Sequence, residues 1–383
     1  MEEKTQKNTN EQPKSQSEKA PLSNRPQWQR RRFFVTIFLT FIIFGGFLTY
    51  TVTTLYNDKC VEDTYWNSAL TSDSEVQDYV DKHANNALKV TVGTYIENLK
   101  EINIKSNYFR VVMMVWFKWD ANNKTLSDMS NNFRVYKGTI NSKTLMDDKV
   151  RNGQHYQQLE LDVTVTKNYW TKRFPLESHQ LRVYIESLYR ADVVDFVNDK
   201  DSSLNTSLNI SGYRINRYAS GVYYNEYTND FGDPSNYTDG KIVTPEQVTA
   251  IQINRDSWGL YIKCFIALIG TITWVLMMLY ININHRIDPL GMIPGALFGT
   301  VSNIMVGANL LPDALQTGLV EFVNIYGVMI ILVSAIIIIN VNWIRNRRED
   351  RVFTHQYGQV MFWVILAFTL IGMIIMPVSA YMW

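Results

Sequence analysis

Long apolar runs occur near the two ends of this 383-residue chain and are absent from its middle. One run covers residues 33–56, and four more cover residues 258–281, 290–311, 320–343 and 357–383. A helix needs about 20 apolar residues to cross the roughly 30 Å hydrocarbon core of a bilayer, so each run predicts a membrane-spanning helix. The pattern therefore indicates an N-terminal membrane anchor and a C-terminal four-helix membrane domain, residues 256–383.

The middle of the chain, residues 57–255, has short alternating segments separated by Asn, Asp, Gly and Ser. These segments predict strands at residues 109–119, 159–165, 181–186, 214–224 and 248–254. Regularly spaced strands with turn signals between them are typical of an antiparallel β-sandwich. A short helix is predicted before them at residues 72–83, where Ser72 and Glu75 fit a capping box.

Arginine clusters suggest an orientation for the five predicted spans. Residues 1–32 are polar, which predicts a disordered tail, and they end in Arg30, Arg31 and Arg32. The segment between the last two spans carries Arg345, Arg347, Arg348 and Arg351. Because positive charge is retained in the cytoplasm, the N-terminus is expected inside, and the sandwich and the C-terminus outside. A cleaved signal peptide is the alternative for residues 33–56.

One face of the predicted helix at residues 290–311 is small or polar almost throughout. It consists of Gly291, Gly295, Phe298, Ser302, Met305 and Asn309, at alternating spacings of four and three. Asp288 precedes this face, and Phe298 is its one bulky aromatic residue, so several copies around an axis would line a pore with an apolar constriction. Gly291, Gly295 and Gly299 also spell the small-xxx-small pattern of closely packed membrane helices, so packing without a pore is the alternative.

Composition argues against an enzyme or a nucleic-acid binder. The formal net charge is +1, and the two cysteines, Cys60 and Cys264, lie far apart. The five histidines have no metal-ligand spacing, and no nucleophile elbow, P-loop or dinucleotide motif occurs. The sequence therefore predicts no catalytic residue, no metal site and no cofactor.

Several motifs occur in the order found in one membrane-protein family. Residues 95–119 look like its first two strands, the segment FPLESHQL at residues 174–181 is similar to its signature loop, and Arg255 stands at the end of the last strand. Leu311 and Pro312, with the run at residues 319–345, look like its linker and third helix. From about residue 95 onward the chain thus resembles the pentameric ligand-gated ion channels, the superfamily of the Cys-loop receptors.

The chain departs from that family at several points. Lys167 and Leu181 occupy the positions where animal members carry the loop cysteines, which resembles the bacterial members. The proline usual early in the first bundle helix is missing, and Pro294 is expected to interrupt the second. The additional N-terminal anchor is also not typical of the family.

The resemblance assigns roles to particular residues. It implies a pore lined by Asp288, Gly291, Gly295, Phe298, Ser302, Met305 and Asn309. It implies coupling between sandwich and membrane through Glu177, His179, Arg255, Pro312 and Asp313. A ligand site between neighbouring sandwiches would draw on Tyr189, Tyr223, Tyr224, Tyr227 and Phe231, since aromatic faces attract cations and stack on rings.

The resemblance thus implies a homopentameric channel in the plasma membrane, or in the inner membrane of a bacterium. It would be gated by a small molecule, an ion or a proton. Asp288 slightly favours cations as the permeating ions, although Arg286 opposes them. The alternative is a non-conducting membrane receptor or scaffold that keeps the same architecture, and Pro294 among the glycines favours it.

Overall fold

The computed structural model describes residues 26–68, 70–229, 242–256, 258–310, 317–348 and 351–381. The chain forms two compact units. The first unit contains the described residues up to Tyr50 together with Ile269–Thr300 and Tyr326–Met373. The second contains Thr51–Leu268, Val301–Ile325 and the described residues from Ile374 onward.

The described residues form ten strands, all of them in the second unit. They are β1 (Leu88–Asn103), β2 (Tyr108–Asp120), β3 (Phe133–Tyr136), β4 (Gly138–Arg151), β5 (Gln154–Thr166), β6 (Ser178–Ser187), β7 (Val194–Asn198), β8 (Ser203–Leu204), β9 (Tyr213–Tyr227) and β10 (Ile242–Arg255). One sheet has the order β4-β5-β2-β1-β7 with β8 also paired to β1, and the other has the order β3-β6-β10-β9. Buried side chains from both sheets form one hydrophobic core.

Alternation explains how β2 contributes to this core. Phe109, Val111, Met113, Val115 and Phe117 are buried at every second position, as the period of a strand requires. On the opposite face Trp116 lies across Gly93 of β1, where any Cβ would overlap the indole. Gly93 thus allows this close approach.

The five predicted strands are confirmed, and each is longer at both ends. The expectation of a purely antiparallel arrangement is wrong, because β7 and β8 pair with β1 in parallel. These strands have only five and two residues, so their alternation is too short to reveal their direction. Strand β4 was missed because its side chains are mostly exposed and its sequence polar.

Six α-helices accompany the strands in the part of the chain that the structure describes. They are α1 (Gln27–Asn67), α2 (Ser74–His83), α3 (Gly259–His285), α4 (Ile293–Leu310), α5 (Leu319–Arg348) and α6 (Arg351–Tyr381). In the described part of the chain α1, α3, α5 and α6 are long and apolar enough to cross a membrane. A sheet-rich region followed by such helices indicates a membrane protein.

The end of α1 and the start of α2 differ from the predictions. Helix α1 extends past the predicted end at residue 56 to Asn67, because polar residues continue the helix where the apolar run stops. Asp73, not Ser72, caps α2, since its side chain accepts the Glu75 N–H at 3.2 Å. The Ser72 hydroxyl instead accepts the backbone N–H of Tyr224 at 3.0 Å.

Candidate functional site

The loop between β5 and β6 places an acidic residue beside the end of β10. It contains a cis peptide bond between Phe174 and Pro175, and the side chains of Phe174 and Leu176 are buried. The predicted signature loop extends to Leu181, but β6 already begins at Ser178. Glu177 is therefore the last residue before the strand.

Glu177 and Arg255, which the resemblance places at one interface, form an ion pair in which the Glu177 side chain is buried and the Arg255 side chain is 14% exposed. The registry of β6 with β10 sets Ser178 opposite Asn254, so the two residues that flank this pair lie side by side. The Arg255 Nε–H donates to Glu177 Oε1 at 3.0 Å. Its guanidinium also lies 4.2 Å from the centre of the Tyr213 ring. Strand pairing and an aromatic face therefore both hold Arg255 on Glu177.

His179 supports this pair from inside the domain. Its side chain is fully buried, and Nε2 lies 3.4 Å from Glu177 Oε1. Burial raises the pKa of Glu177, but His179 and Arg255 outweigh it, and the net shift is downward. Burial lowers the pKa of His179 despite the attraction of Glu177. The arrangement thus favours an ionised Glu177 beside a neutral His179.

The other two residues predicted to couple, Pro312 and Asp313, lie outside the described residues. Two contacts between described residues join the two-sheet domain to helix ends in the second unit. The backbone N–H of Leu319, at the start of α5, donates to the Lys172 carbonyl at 2.6 Å. The ammonium of Lys105, in the turn after β1, lies 3.4 Å from the Asn309 carbonyl of α4.

A second buried ionic cluster, which the sequence interpretation missed, lies at the end of α1. Glu62 is fully buried and ion-paired with Arg173. The Ser178 hydroxyl donates to Glu62 Oε1 at 2.6 Å, and the Gln252 amide donates to the same oxygen at 3.0 Å. Asp58, one helical turn earlier, accepts from Arg173 Nε at 3.2 Å. Ser178 directly follows Glu177, so this cluster adjoins the Glu177–Arg255 pair.

Helical spacing was the signal that could have revealed this cluster. Asp58, Glu62 and Tyr65 recur at spacings of four and three beyond the apolar run, which places them on one helical face. Tyr65 on this face also contacts the sheet, because the Arg182 guanidinium stacks on its ring at 3.6 Å from the ring centre. Their partners lie more than a hundred residues away, so the sequence could not supply them.

Replacing Glu62 tests how firmly α1 is attached. Glu62→Gln keeps the size of the side chain but leaves Arg173 without one of its two carboxylates, so we expect a loss of about 1–3 kcal/mol in the free energy of unfolding. Denaturant unfolding of the purified chain measures this loss. Asp63→Asn is the matched control, since Asp63 is partly exposed and exposed pairs contribute only about 0–1 kcal/mol. Equal effects of the two substitutions would contradict a special role for Glu62.

Helix α4 exposes the predicted small and polar face. In the first unit, Asp288, Gly291 and Gly295 are exposed and Phe298 is 73% exposed. In the second unit, Ser302 is partly buried, Met305 is 63% exposed and Asn309 is exposed. Among the α4 side chains that the structure describes, those of Ala296, Thr300 and Asn303 are buried. The chain therefore packs the side of α4 that carries these residues and leaves most of the small and polar face exposed.

The three glycines of α4 and its preceding turn differ in their surroundings. A Cβ at Gly299 would overlap the Thr271 hydroxyl of α3, whereas one at Gly291 or Gly295 would meet no described atom within 4 Å. Only Gly299 is thus used for close helix packing within the chain. The expectation that Pro294 interrupts this helix is wrong: a 3₁₀ turn at Leu290–Met292 precedes α4, and Pro294 lies in its first turn, where no N–H is needed. Leu311 lies outside the described residues.

The aromatic residues predicted to bind a ligand do not form one cluster. Tyr189 packs against the core. Tyr223 and Tyr227 lie on one face of β9 and Tyr224 on the other, where its hydroxyl donates to Asp195 at 2.7 Å. The Tyr227 hydroxyl donates to Glu186 at 2.7 Å. Phe231 lies outside the described residues.

Comparisons with known proteins assign the chain to no family. No protein-family model matches the chain, and no curated protein matches it either. Among the described residues, no group of three His, Cys, Asp or Glu side chains could hold a metal ion.

Proposed function

We propose that this chain is the subunit of a homopentameric ligand-gated ion channel, with an extracytoplasmic β-sandwich and a pore lined by α4. The exposed face of α4 carries this proposal. Glycine, serine and asparagine gain nothing from contact with lipid, yet they recur along this face while the opposite side of the helix is packed. Five copies of α4 around an axis would cover the face and surround a polar pathway.

The buried contacts around Glu177 support the same function. A channel of this kind needs a mechanical connection from the ligand-sensing domain to the pore. The pair of Glu177 with Arg255 lies where β10 leads into α3, and Lys172 contacts the start of α5. Movement of the loop between β5 and β6 would thus reach two membrane helices of the same chain.

The residues before α4 favour cations among the permeating ions. Asp288 is exposed, and its Oδ1 accepts the Leu290 N–H at 3.2 Å, which orients the carboxylate at the first turn. Five such carboxylates would make a negatively charged ring. Arg286 is also exposed and opposes this preference.

The second candidate is a non-conducting receptor or scaffold. The contact of Gly299 with Thr271 favours it, because this glycine is used for helix packing and not for a pathway. Pro294 no longer favours it, since the structure accommodates that residue in the first turn of α4.

Electrical recording decides between the two candidates. Purified chain should be reconstituted in planar bilayers and exposed to steps of pH and to a panel of small amines. Stimulus-dependent single-channel currents are expected of a channel. Silence of a correctly assembled pentamer under all these conditions would favour the scaffold.

The proposed orientation has its own test. We expect Arg30 to Arg32 and the segment at residues 345–351 in the cytoplasm, because positive charge resists translocation. In a Cys60→Ser, Cys264→Ser background, a membrane-impermeant thiol reagent applied to cells should label Lys124→Cys and spare Asn346→Cys. Both positions are exposed in the structure. Labelling of Asn346→Cys in intact cells would reverse the orientation.

A further inference from the structure

A cavity of about 830 Å³ lies in the second unit, between the end of α1 and the sheet β3-β6-β10-β9. On β6, Leu181, Val183 and Ile185 point into the core of the domain, and the alternate residues Arg182 and Tyr184 line the cavity on the other face. Its volume falls within the roughly 300–1,000 Å³ of small-molecule sites. The cavity belongs to one chain and needs no neighbouring subunit.

Cationic side chains predominate around this space. Arg182 is 8% exposed, and its Nη2–H donates to Gln180 Oε1 at 2.9 Å. The Nε–H of Arg182 has no hydrogen-bond partner among the described residues. Lys167 and Lys137 also line the cavity. A buried donor without a partner is costly, so an anion at this position would relieve that cost.

One acidic residue faces these cations from β10. Glu246 is 1% exposed, and within the described part of the chain its Oε1 has no hydrogen-bond partner. Glu186, directly opposite on β6, is already paired with Arg134. Burial and the neighbouring Glu186 raise the pKa of Glu246 to about 8. A protonated Glu246 donates a hydrogen bond and does not repel an anion.

Aromatic rings form much of the remaining wall. Tyr65 from α1 and Trp170 from the loop after β5 line the cavity together with Tyr184 and Tyr223. Such walls suit a flat apolar body, which a small inorganic anion does not have. Cations beside aromatic walls match a molecule that combines a carboxylate with an aromatic ring.

We propose that this cavity is a binding site for a small aromatic carboxylate, whose carboxylate faces Arg182 and Lys167 and whose ring packs against the aromatic wall that includes Trp170, Tyr184 and Tyr223. The end of α1 forms one wall, so the N-terminal helix is part of the site as well as a membrane anchor. This site is independent of the proposed ion conduction, and each can fail while the other stands.

Benzoate is the probe for this site. Isothermal titration of the full chain in lipid nanodiscs at pH 7 should show saturable binding of benzoate. Benzamide, which has the same ring without the charge, should bind at least roughly tenfold more weakly, because charge-assisted hydrogen bonds are about twice as strong as neutral ones. Inorganic phosphate should not compete at equal concentration.

Substitution of Lys167 assigns the binding to this cavity. Lys167→Gln should weaken benzoate binding by roughly tenfold or more, since it removes one of the two cations that face the carboxylate. Lys124→Gln removes an exposed lysine outside the cavity and should leave the affinity unchanged. Arg182→Gln is a poorer test, because Arg182 also stacks on Tyr65 and so contributes to the attachment of α1.

The pH dependence gives a second readout. Burial and the nearby Arg182 lower the pKa of Lys167 to about 8. Glu246 loses its proton in the same range, while benzoate, with a carboxyl pKa near 4, stays ionised. The affinity should be highest below pH 8 and fall by roughly tenfold or more in total as the pH rises through this range. Burial raises the pKa of Tyr184 to about 12 and also raises the pKa of Tyr223.

Four results would each overturn the proposal: no saturable benzoate binding to folded chain, equal binding of benzamide, full competition by phosphate, or an unchanged affinity of Lys167→Gln. Bilayer currents recorded from the same preparation report on conduction separately. Loss of benzoate binding with intact currents would therefore reject this site alone.

Discussion

Phe298→Ser is expected to give a channel that conducts without stimulus. Phe298 is the one large aromatic side chain on the exposed face of α4, and in a ring of five copies it would form the apolar constriction that excludes water from a closed pore. Serine would let water enter that constriction. Burial of a Phe side chain is worth about 1.5–3 kcal/mol, and a loss of only about 1.4 kcal/mol from the closed state raises its resting conduction tenfold. Recordings at matched surface expression measure this change.

Ile304→Ser is the matched control for Phe298→Ser. Ile304 is also an exposed apolar residue of α4, but it lies well away from the small and polar face on the helical wheel. It should leave the resting current unchanged. A silent and correctly assembled Phe298→Ser pentamer would argue against a pore lined by this face, and lower stability without current would support the scaffold.

A double-mutant cycle on Glu177 and Arg255 is expected to show strong coupling. Arg255→Gln leaves the buried Glu177 carboxylate without this partner, which typically costs about 3–5 kcal/mol in the free energy of unfolding. Glu177→Gln leaves the partly buried Arg255 without its carboxylate and should cost less. The double substitution removes both charges and should cost clearly less than the sum. We expect an interaction energy of about 2 kcal/mol between the two sites, measured by denaturant unfolding of the full chain.

The same strands provide a control pair for this cycle. Arg214 Nη2 lies 2.9 Å from Asp256 Oδ1, but the two side chains are 77% and 51% exposed. An exposed pair of this kind contributes about 0–1 kcal/mol. If the buried and exposed pairs gave the same interaction energy, Glu177 and Arg255 would not act as a unit. In the proposed channel, substitution of either Glu177 or Arg255 should also reduce the response to agonist.

The sequence was informative where the physical signal is local. Apolar runs located every membrane-length helix, and alternation located strands such as β2 and β5, because burial of one face leaves its period in the sequence. The motif order also predicted that Glu177 and Arg255 lie at one interface, and the structure places Arg255 Nε 3.0 Å from Glu177 Oε1. Boundaries were less accurate: the polar end of α1 continues the helix, yet hydropathy alone ends the span at residue 56.

Partners across the fold were beyond the sequence. Gly291, Gly295 and Gly299 have the same side chain and regular spacing, but only Gly299 meets another helix of the chain. Tyr223 and Tyr224 are neighbours in sequence but lie on opposite faces of β9. The tyrosines that the sequence groups as a candidate ligand site therefore do not face one common space.

By itself the sequence determined the long apolar helices, five of the strands and the order of these elements, because helical and strand periods record which side of an element is buried. The tertiary structure alone decided what each face meets. Glu62 contacts Arg173 and Gln252, and Arg182 and Glu246 line one cavity, although their separations in the chain carry no periodic signal. Such contacts arise when segments that are distant in the chain pack together. This packing determines the ion pairs, the cavity and which face of α4 is exposed.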